Sequence, residues 1–173
     1  MSDIAQAVSV APRDRPFETR PLCDVLGVEI LGLDLAEAID PEIFPSVYQA
    51  FLEHQLIFFR DVDLPPQTQV EFARAFGDVQ THVMDQYHGY GHPEIYLLTN
   101  LDKDGNPSGA HPDKGTMHWH TDGSWRSRTG LATMMYAEIV PDTGGETHFC
   151  DMHGAVDWLG EVWRDRLEGM KAI

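Results

Sequence analysis

Short apolar runs and helical repeats alternate along the first half of the chain. From Glu18 to Leu35 the stretch ETRPLCDVLGVEILGLDL is rich in Val, Ile and Leu and is broken by Gly27 and Gly32, which predicts two short strands. Asp40 and Pro41 supply an N-cap and a first-turn proline, and Ile43, Phe44, Val47, Tyr48, Phe51 and Leu52 follow at the 3.6-residue period of an amphipathic helix. The apolar run LIFFR, Leu56 to Arg60, predicts a buried strand. Pro65 and Pro66 open a second helix with Val70, Phe72, Ala73 and Phe76 facing inward, and Gly77 sits where a left-handed C-cap belongs. From Asp78 to about Thr116 only EIYLLTN, Glu94 to Asn100, reads as a strand; Gly and Pro recur elsewhere, as in lids and binding loops. Strands are expected again at Ala132 to Ile139 and Glu146 to Cys150 around the turn PDTGG, then helices near His153 to Leu159 and Glu161 to Leu167. Residues 1–16 show neither period and are expected to be a flexible leader, so one domain is assigned to residues 17–173.

Composition narrows the function. The 173 residues are 42% apolar and 23% charged, sufficient for one sizeable core. The 28 acidic residues outnumber the 12 Lys and Arg, and a net charge of -16 repels phosphate backbones and anionic lipid, so neither nucleic acid nor membrane is an expected partner. No apolar run approaches the roughly 20 residues that cross a bilayer, and the first residues lack a signal-peptide pattern, which points to the cytoplasm. Cys23 and Cys150 form no disulfide framework, whereas nine histidines suit metal chemistry in a reducing compartment.

The segment HWHTDGSW, residues 118–125, carries the strongest chemical signal. In an extended chain residues i and i+2 face the same side, so His120 and Asp122 can offer an imidazole nitrogen and a carboxylate oxygen to one point. Completed by a distant histidine, such a pair forms the facial triad of non-haem Fe(II) oxygenases, with three coordination positions left open. Spacing alone fits a solvated strand end more often than a metal site. Trp119 and Trp125 can shield the pair from water, although plain core packing is the favoured role for Trp119, and Gly123 allows a substrate to approach the backbone closely. His118 and His120 form a second same-face pair, which opens a cupin-like alternative; the Glu that usually follows in cupins is absent until Glu138.

HWHTDGSW, followed by PDTGGETHFCDM at Pro141 to Met152, resembles the TauD/TfdA-type family of Fe(II)- and 2-oxoglutarate-dependent dioxygenases. GVEILGLDL, LIFFR and FARAFGDV are similar to the N-terminal part of that family, and the likeness runs from about Pro21 to Asp165. It implies an α+β chain built on a double-stranded β-helix, the jelly-roll of clavaminate synthase-like proteins, with flanking helices. It also implies Fe(II) bound by His120 and Asp122, with 2-oxoglutarate as cosubstrate and its distal carboxylate held by Thr147. His82 would touch the anionic end of a small substrate such as a sulfonate or aryloxyalkanoate. Dioxygen and 2-oxoglutarate would be consumed to hydroxylate that substrate, releasing succinate and carbon dioxide. The family's third iron ligand and its 2-oxoglutarate arginine lie beyond the GGET strand, and five or six candidate strands fall short of the eight or so of a jelly roll. The chain is therefore expected to be an N-terminal portion, incomplete at its C-terminal side. An inactive remnant, or an interaction module and homo-oligomer joined through exposed strand edges, is the alternative from another class.

Overall fold

The computed structural model describes residues 15–81, 85–102, 104–107 and 118–171, and its contacts divide the chain into two units. One unit combines, of the described residues, 15–34 with 45–62 and 138–171. Its centre is a three-stranded sheet of β1 (Glu18–Pro21), β2 (Val28–Leu31) and β3 (Ile57–Phe58), in that order. β1 runs antiparallel to β2 with Arg20 opposite Glu29, and β3 runs parallel to β2 with Phe58 opposite Glu29. Gly27 and Gly32, which flank β2, take φ of 86° and 75°, a conformation that a side chain would disfavour. The two strands expected between Glu18 and Leu35 are thus present.

β2 is covered on both faces, with Val28, Glu29 and Ile30 only 2%, 3% and 4% exposed. Side chains alternate along a strand, so Val28 and Ile30 lie on one face with Glu29 on the other. Burying side chains of the Val and Ile type is worth about 1.5–3 kcal/mol each. Arg20 reaches Glu29 Oε2 at 2.6 Å and Arg60 reaches the same oxygen at 3.3 Å, while the Arg60 guanidinium stacks 4.8 Å over the Phe58 ring. Helix α2 (Phe44–His54) feeds directly into β3, and the carbonyls of His54 and Leu56 accept from the N–H groups of Gly27 and Val28. Asp40 caps the preceding turn instead of the helix: its carboxylate accepts from Glu42 N–H and its carbonyl from Ile43 and Phe44. The apolar run LIFFR yields only two ladder residues. Arg15 and Pro16, placed in the leader by their sequence, belong to the described structure, where Arg15 pairs with Glu53 at 2.6 Å.

The other unit holds residues 35–44 and 63–137. Short helix α1 (Leu35–Ala38) packs on α3 (Pro66–Phe76), which also packs on β5 (His92–Tyr96); β5 pairs antiparallel with β4 (His88–Gly89). Leu35, Ala38, Leu64, Val70, Phe72 and Ile95 form the buried apolar set here. Phe76 meets Phe44 and Phe72 edge to face at 5.0 and 5.4 Å, Tyr87 meets Tyr96 at 5.2 Å, and Arg74 ties α3 to Glu94 of β5 at 2.6 Å. Gly77 ends α3 with φ 145° and ψ -161°. This is a glycine-only extended conformation, not the expected left-handed cap.

The second half departs furthest from expectation. Ala132–Ile139 and Glu146–Cys150 form no strands, and the five strands among the described residues fall in a three-stranded and a two-stranded sheet, fewer than the eight or so of a complete jelly-roll. A strand exists only with a neighbour to hydrogen-bond, and no described segment pairs with these two. Past them, α4 (Met152–Trp158) and α5 (Gly160–Leu167) form as predicted. No helix is long and apolar enough to cross a membrane among the described residues.

The Glu29 cluster gives the first test. Hydrogen bonding from Arg20 holds its carboxyl below the usual carboxylate range, reinforced by the charges of Arg20 and Arg60 and opposed by burial. A depressed folded pKa contributes stability that is complete above the unfolded value near 4.3 and is lost as pH falls through the folded value. Glu29→Gln should lower the thermal midpoint at pH 7, and the gap from the parent should close as pH drops below about 4. A gap unchanged from pH 7 to pH 3 would show that Glu29 acts through packing alone.

Candidate metal centre

Residues 119–121 belong to no helix or strand, and a turn at 122–125 follows. Arg126 N–H bonds the carbonyl of Gly123, and Ser124 N–H that of Thr121, at 3.0 and 3.3 Å. Gly123 takes φ 65°; a Cβ there would meet nothing closer than 3.7 Å, so backbone conformation, not space, calls for glycine. The turn folds Asp122 back toward His120: Nε2 of His120 lies 3.2 Å from Oδ1 of Asp122. Two ligands bound at about 2.1 Å and at right angles around one ion stand about 3 Å apart. The pair therefore fits two neighbouring positions of one coordination sphere.

Two further contacts orient these donors. His120 Nδ1 is 2.7 Å from the His118 carbonyl oxygen. A carbonyl can only accept, so Nδ1 carries the proton, and in a neutral ring Nε2 is then the lone-pair nitrogen that faces Asp122. On the other side, the Thr133 hydroxyl donates to Asp122 Oδ2 at 2.7 Å. No local pattern points to Thr133, which stands 11 residues beyond Asp122.

Of the remaining expected site residues, His118 contributes its backbone carbonyl, and no group of three or more His, Cys, Asp or Glu side chains converges among the described residues. Trp119 and Trp125 are 73% and 80% exposed, so neither the core packing nor the water exclusion expected of them is present. The side chains of His120 and Asp122 are themselves about half exposed. Thr147 is exposed in an extended stretch of the other unit, following Gly144 and Gly145 at φ 79° and 77°. His82 lies outside the described residues. A cavity of about 340 Å³ lined by Arg15, Pro16, Phe17, Glu18, Leu31 and Gly32 includes none of the motif residues.

Asp151, inside the second motif, has a structural role that its position before a helix could have signalled. Its Oδ1 accepts from Gly154 N–H and from Gln55 Nε2, both at 3.0 Å, and so caps α4. A Cβ on Gly154 would fall 2.5 Å from Asp151 Oδ2, which explains the glycine.

Residues 18–173 match the family described as "Taurine catabolism dioxygenase TauD, TfdA family". The chain is 30% identical over 163 residues to (S)-phenoxypropionate/alpha-ketoglutarate-dioxygenase of Sphingobium herbicidovorans, covering 90% of this chain and 52% of the relative. It is 27% identical over 160 residues to alpha-ketoglutarate-dependent 2,4-dichlorophenoxyacetate dioxygenase of Cupriavidus pinatubonensis, covering 88% and 56%. It is also 27% identical over 172 residues to alpha-ketoglutarate-dependent sulfate ester dioxygenase of Pseudomonas putida, covering 96% and 52%. Among solved structures, AAD-2 in complex with Mn(II) and N-oxalylglycine aligns with a TM-score of 0.65 at 28% identity, covering 88% of this chain and 53% of that one. The chain spans about half the length of the curated relatives it matches.

The cap supplies this section's test. Gly154 N–H, then Gln55, holds the Asp151 carboxyl below its ordinary value. Asp151→Ala should speed amide hydrogen exchange through the first turn of α4, while Asp151→Asn, which keeps an acceptor, should speed it far less. Equal exchange in the parent and the alanine variant would remove the cap from the account.

Proposed function

The chain belongs to the TauD/TfdA family, and from that premise we propose that it carries the metal-binding part of an Fe(II)- and 2-oxoglutarate-dependent dioxygenase. Enzymes of this family use Fe(II) and 2-oxoglutarate, and the matched relatives are dioxygenases of that class. The observation that carries the proposal is the 3.2 Å approach of His120 Nε2 to Asp122 Oδ1 within the matched region. His120 and Asp122 would hold the iron, one as a neutral nitrogen donor and the other as the carboxylate that offsets part of the ion's charge. When bound, the iron would bring together dioxygen, the oxidant, and 2-oxoglutarate, which gives up two electrons in becoming succinate and carbon dioxide while the C–H bond gives up two in becoming an alcohol.

The chain's own residues would then bind and orient. Thr147 would donate its hydroxyl to the distal carboxylate of 2-oxoglutarate, and His82 would meet the anionic end of the substrate. Gly123 keeps the backbone open beside the metal pair, in keeping with a close approach by substrate. The substrate class is a small organic anion, an aryloxyalkanoate or a sulfate ester, by likeness to the relatives named above. The fold proposed for the domain is the jelly-roll of its family. The cupin-like reading gains no support, since His118 approaches His120 through its carbonyl.

His120→Ala and Asp122→Ala should each reduce succinate release to background in any active form of the protein, and each should weaken Fe(II) binding measured separately. Activity equal to the parent in either variant would end the assignment. Thr147→Val should leave iron binding intact and raise the 2-oxoglutarate requirement. A hydrogen bond to a charged group contributes roughly 1.5–3 kcal/mol, which is about a tenfold to hundredfold change in cosubstrate affinity. An unchanged 2-oxoglutarate titration would leave Thr147 with no part in cosubstrate binding.

A further inference from the structure

We propose that Thr133 is a positioning residue that sets which oxygen of Asp122 faces the metal. The inference rests on the reading of His120 and Asp122 as ligands and adds to it a third side chain. An ionised carboxylate has two equivalent oxygens, and on a half-exposed side chain nothing in its chemistry selects one. The structure breaks that symmetry. Thr133 Oγ1 donates to Oδ2 at 2.7 Å, while Oδ1 is left 3.2 Å from His120 Nε2. Hydrogen bonds to charged acceptors are about twice as strong as neutral ones, so the hydroxyl holds the carboxylate plane against rotation about χ2.

Thr133 and the His118 carbonyl thus perform matching tasks. The carbonyl fixes the ring of His120 through Nδ1, and the hydroxyl fixes the carboxylate of Asp122 through Oδ2. Each leaves the opposite atom of its side chain, Nε2 or Oδ1, directed into the shared gap. Outer contacts of this kind fix the orientation of metal ligands, and their loss typically costs tenfold to hundredfold in metal affinity. Thr133 is exposed, so replacing its hydroxyl with a methyl group removes a hydrogen bond without opening a cavity in a core.

The test is Mn(II) titration of the 173-residue chain, with free Mn(II) followed by electron paramagnetic resonance, in the parent, Thr133→Val, Thr133→Ser, Asp122→Ala and the Asp122→Ala/Thr133→Val pair. Thr133→Val should bind about 10- to 100-fold more weakly, and Thr133→Ser, which keeps the hydroxyl, should bind as the parent does. In the Asp122→Ala background the valine should have no further effect. If Asp122→Ala weakens binding and Thr133→Val does not, the positioning role is wrong while the ligand reading stands. If serine fails to restore affinity, or valine costs as much without Asp122 as with it, Thr133 acts elsewhere and the proposal falls. If Asp122→Ala binds as the parent does, the ligand reading fails and takes this inference with it.

Discussion

β2 is the strand on which its unit depends, because it has a neighbour on each edge and cover on each face. Its ladder to β1 and its parallel pairing to β3 satisfy backbone groups that would otherwise be costly to bury. That arrangement brings a charged side chain inside with the apolar ones: Glu29 is tolerated at 3% exposure because two guanidinium groups converge on one of its oxygens. Breaking such a cluster by removing one partner leaves an uncompensated charge, which is the expensive way to alter a buried ion pair. The same pairing requirement accounts for Ala132–Ile139 and Glu146–Cys150, which have the composition of strands but no ladder.

The metal pair is consequently organised by short-range contacts and not by a sheet. A strand would have aligned His120 and Asp122 through its pleat. Here the turn at Gly123, the His118 carbonyl and the Thr133 hydroxyl bring about the same convergence within 16 residues. Local hydrogen bonds suffice to choose a tautomer and a carboxylate oxygen, because each acts on a single torsion. They do not exclude water, and both side chains remain about half exposed.

Elements whose cues are local were legible in the sequence. The paired strands around Gly27, the helix opened by Pro65 and Pro66, and the two helices after Met152 follow from periodicity and punctuation. The approach of His120 to Asp122 was expected from an extended backbone and is reached instead through the turn at Gly123. What escaped depended on distant partners: whether Ala132–Ile139 would find a ladder, whether Trp119 would find a core, and which hydroxyl would reach Asp122. Asp40 shows the same limit at small scale. Its cap signal was read correctly as a cap, yet it closes the turn before Phe44 and leaves the helix to start three residues later than Pro41 suggested.

Charge divides the tasks of recognition. At a net -16 the chain draws a divalent cation from a distance and repels an organic anion over the same range. Screening limits both effects to roughly 8 Å at physiological ionic strength, so an anion that arrives must be held by donors close at hand. Arg126 and Arg128 follow the metal pair within six residues of Asp122 and are exposed. They add two positive charges close in sequence to His120 and Asp122 on an otherwise acidic chain. A neutral donor such as a hydroxyl or an imidazole N–H binds a carboxylate or sulfate without adding to the repulsion felt by a metal ion. An acidic surface and an anionic ligand are therefore compatible: the first governs long-range attraction of cations, and an anion is held by hydrogen bonds at contact distance.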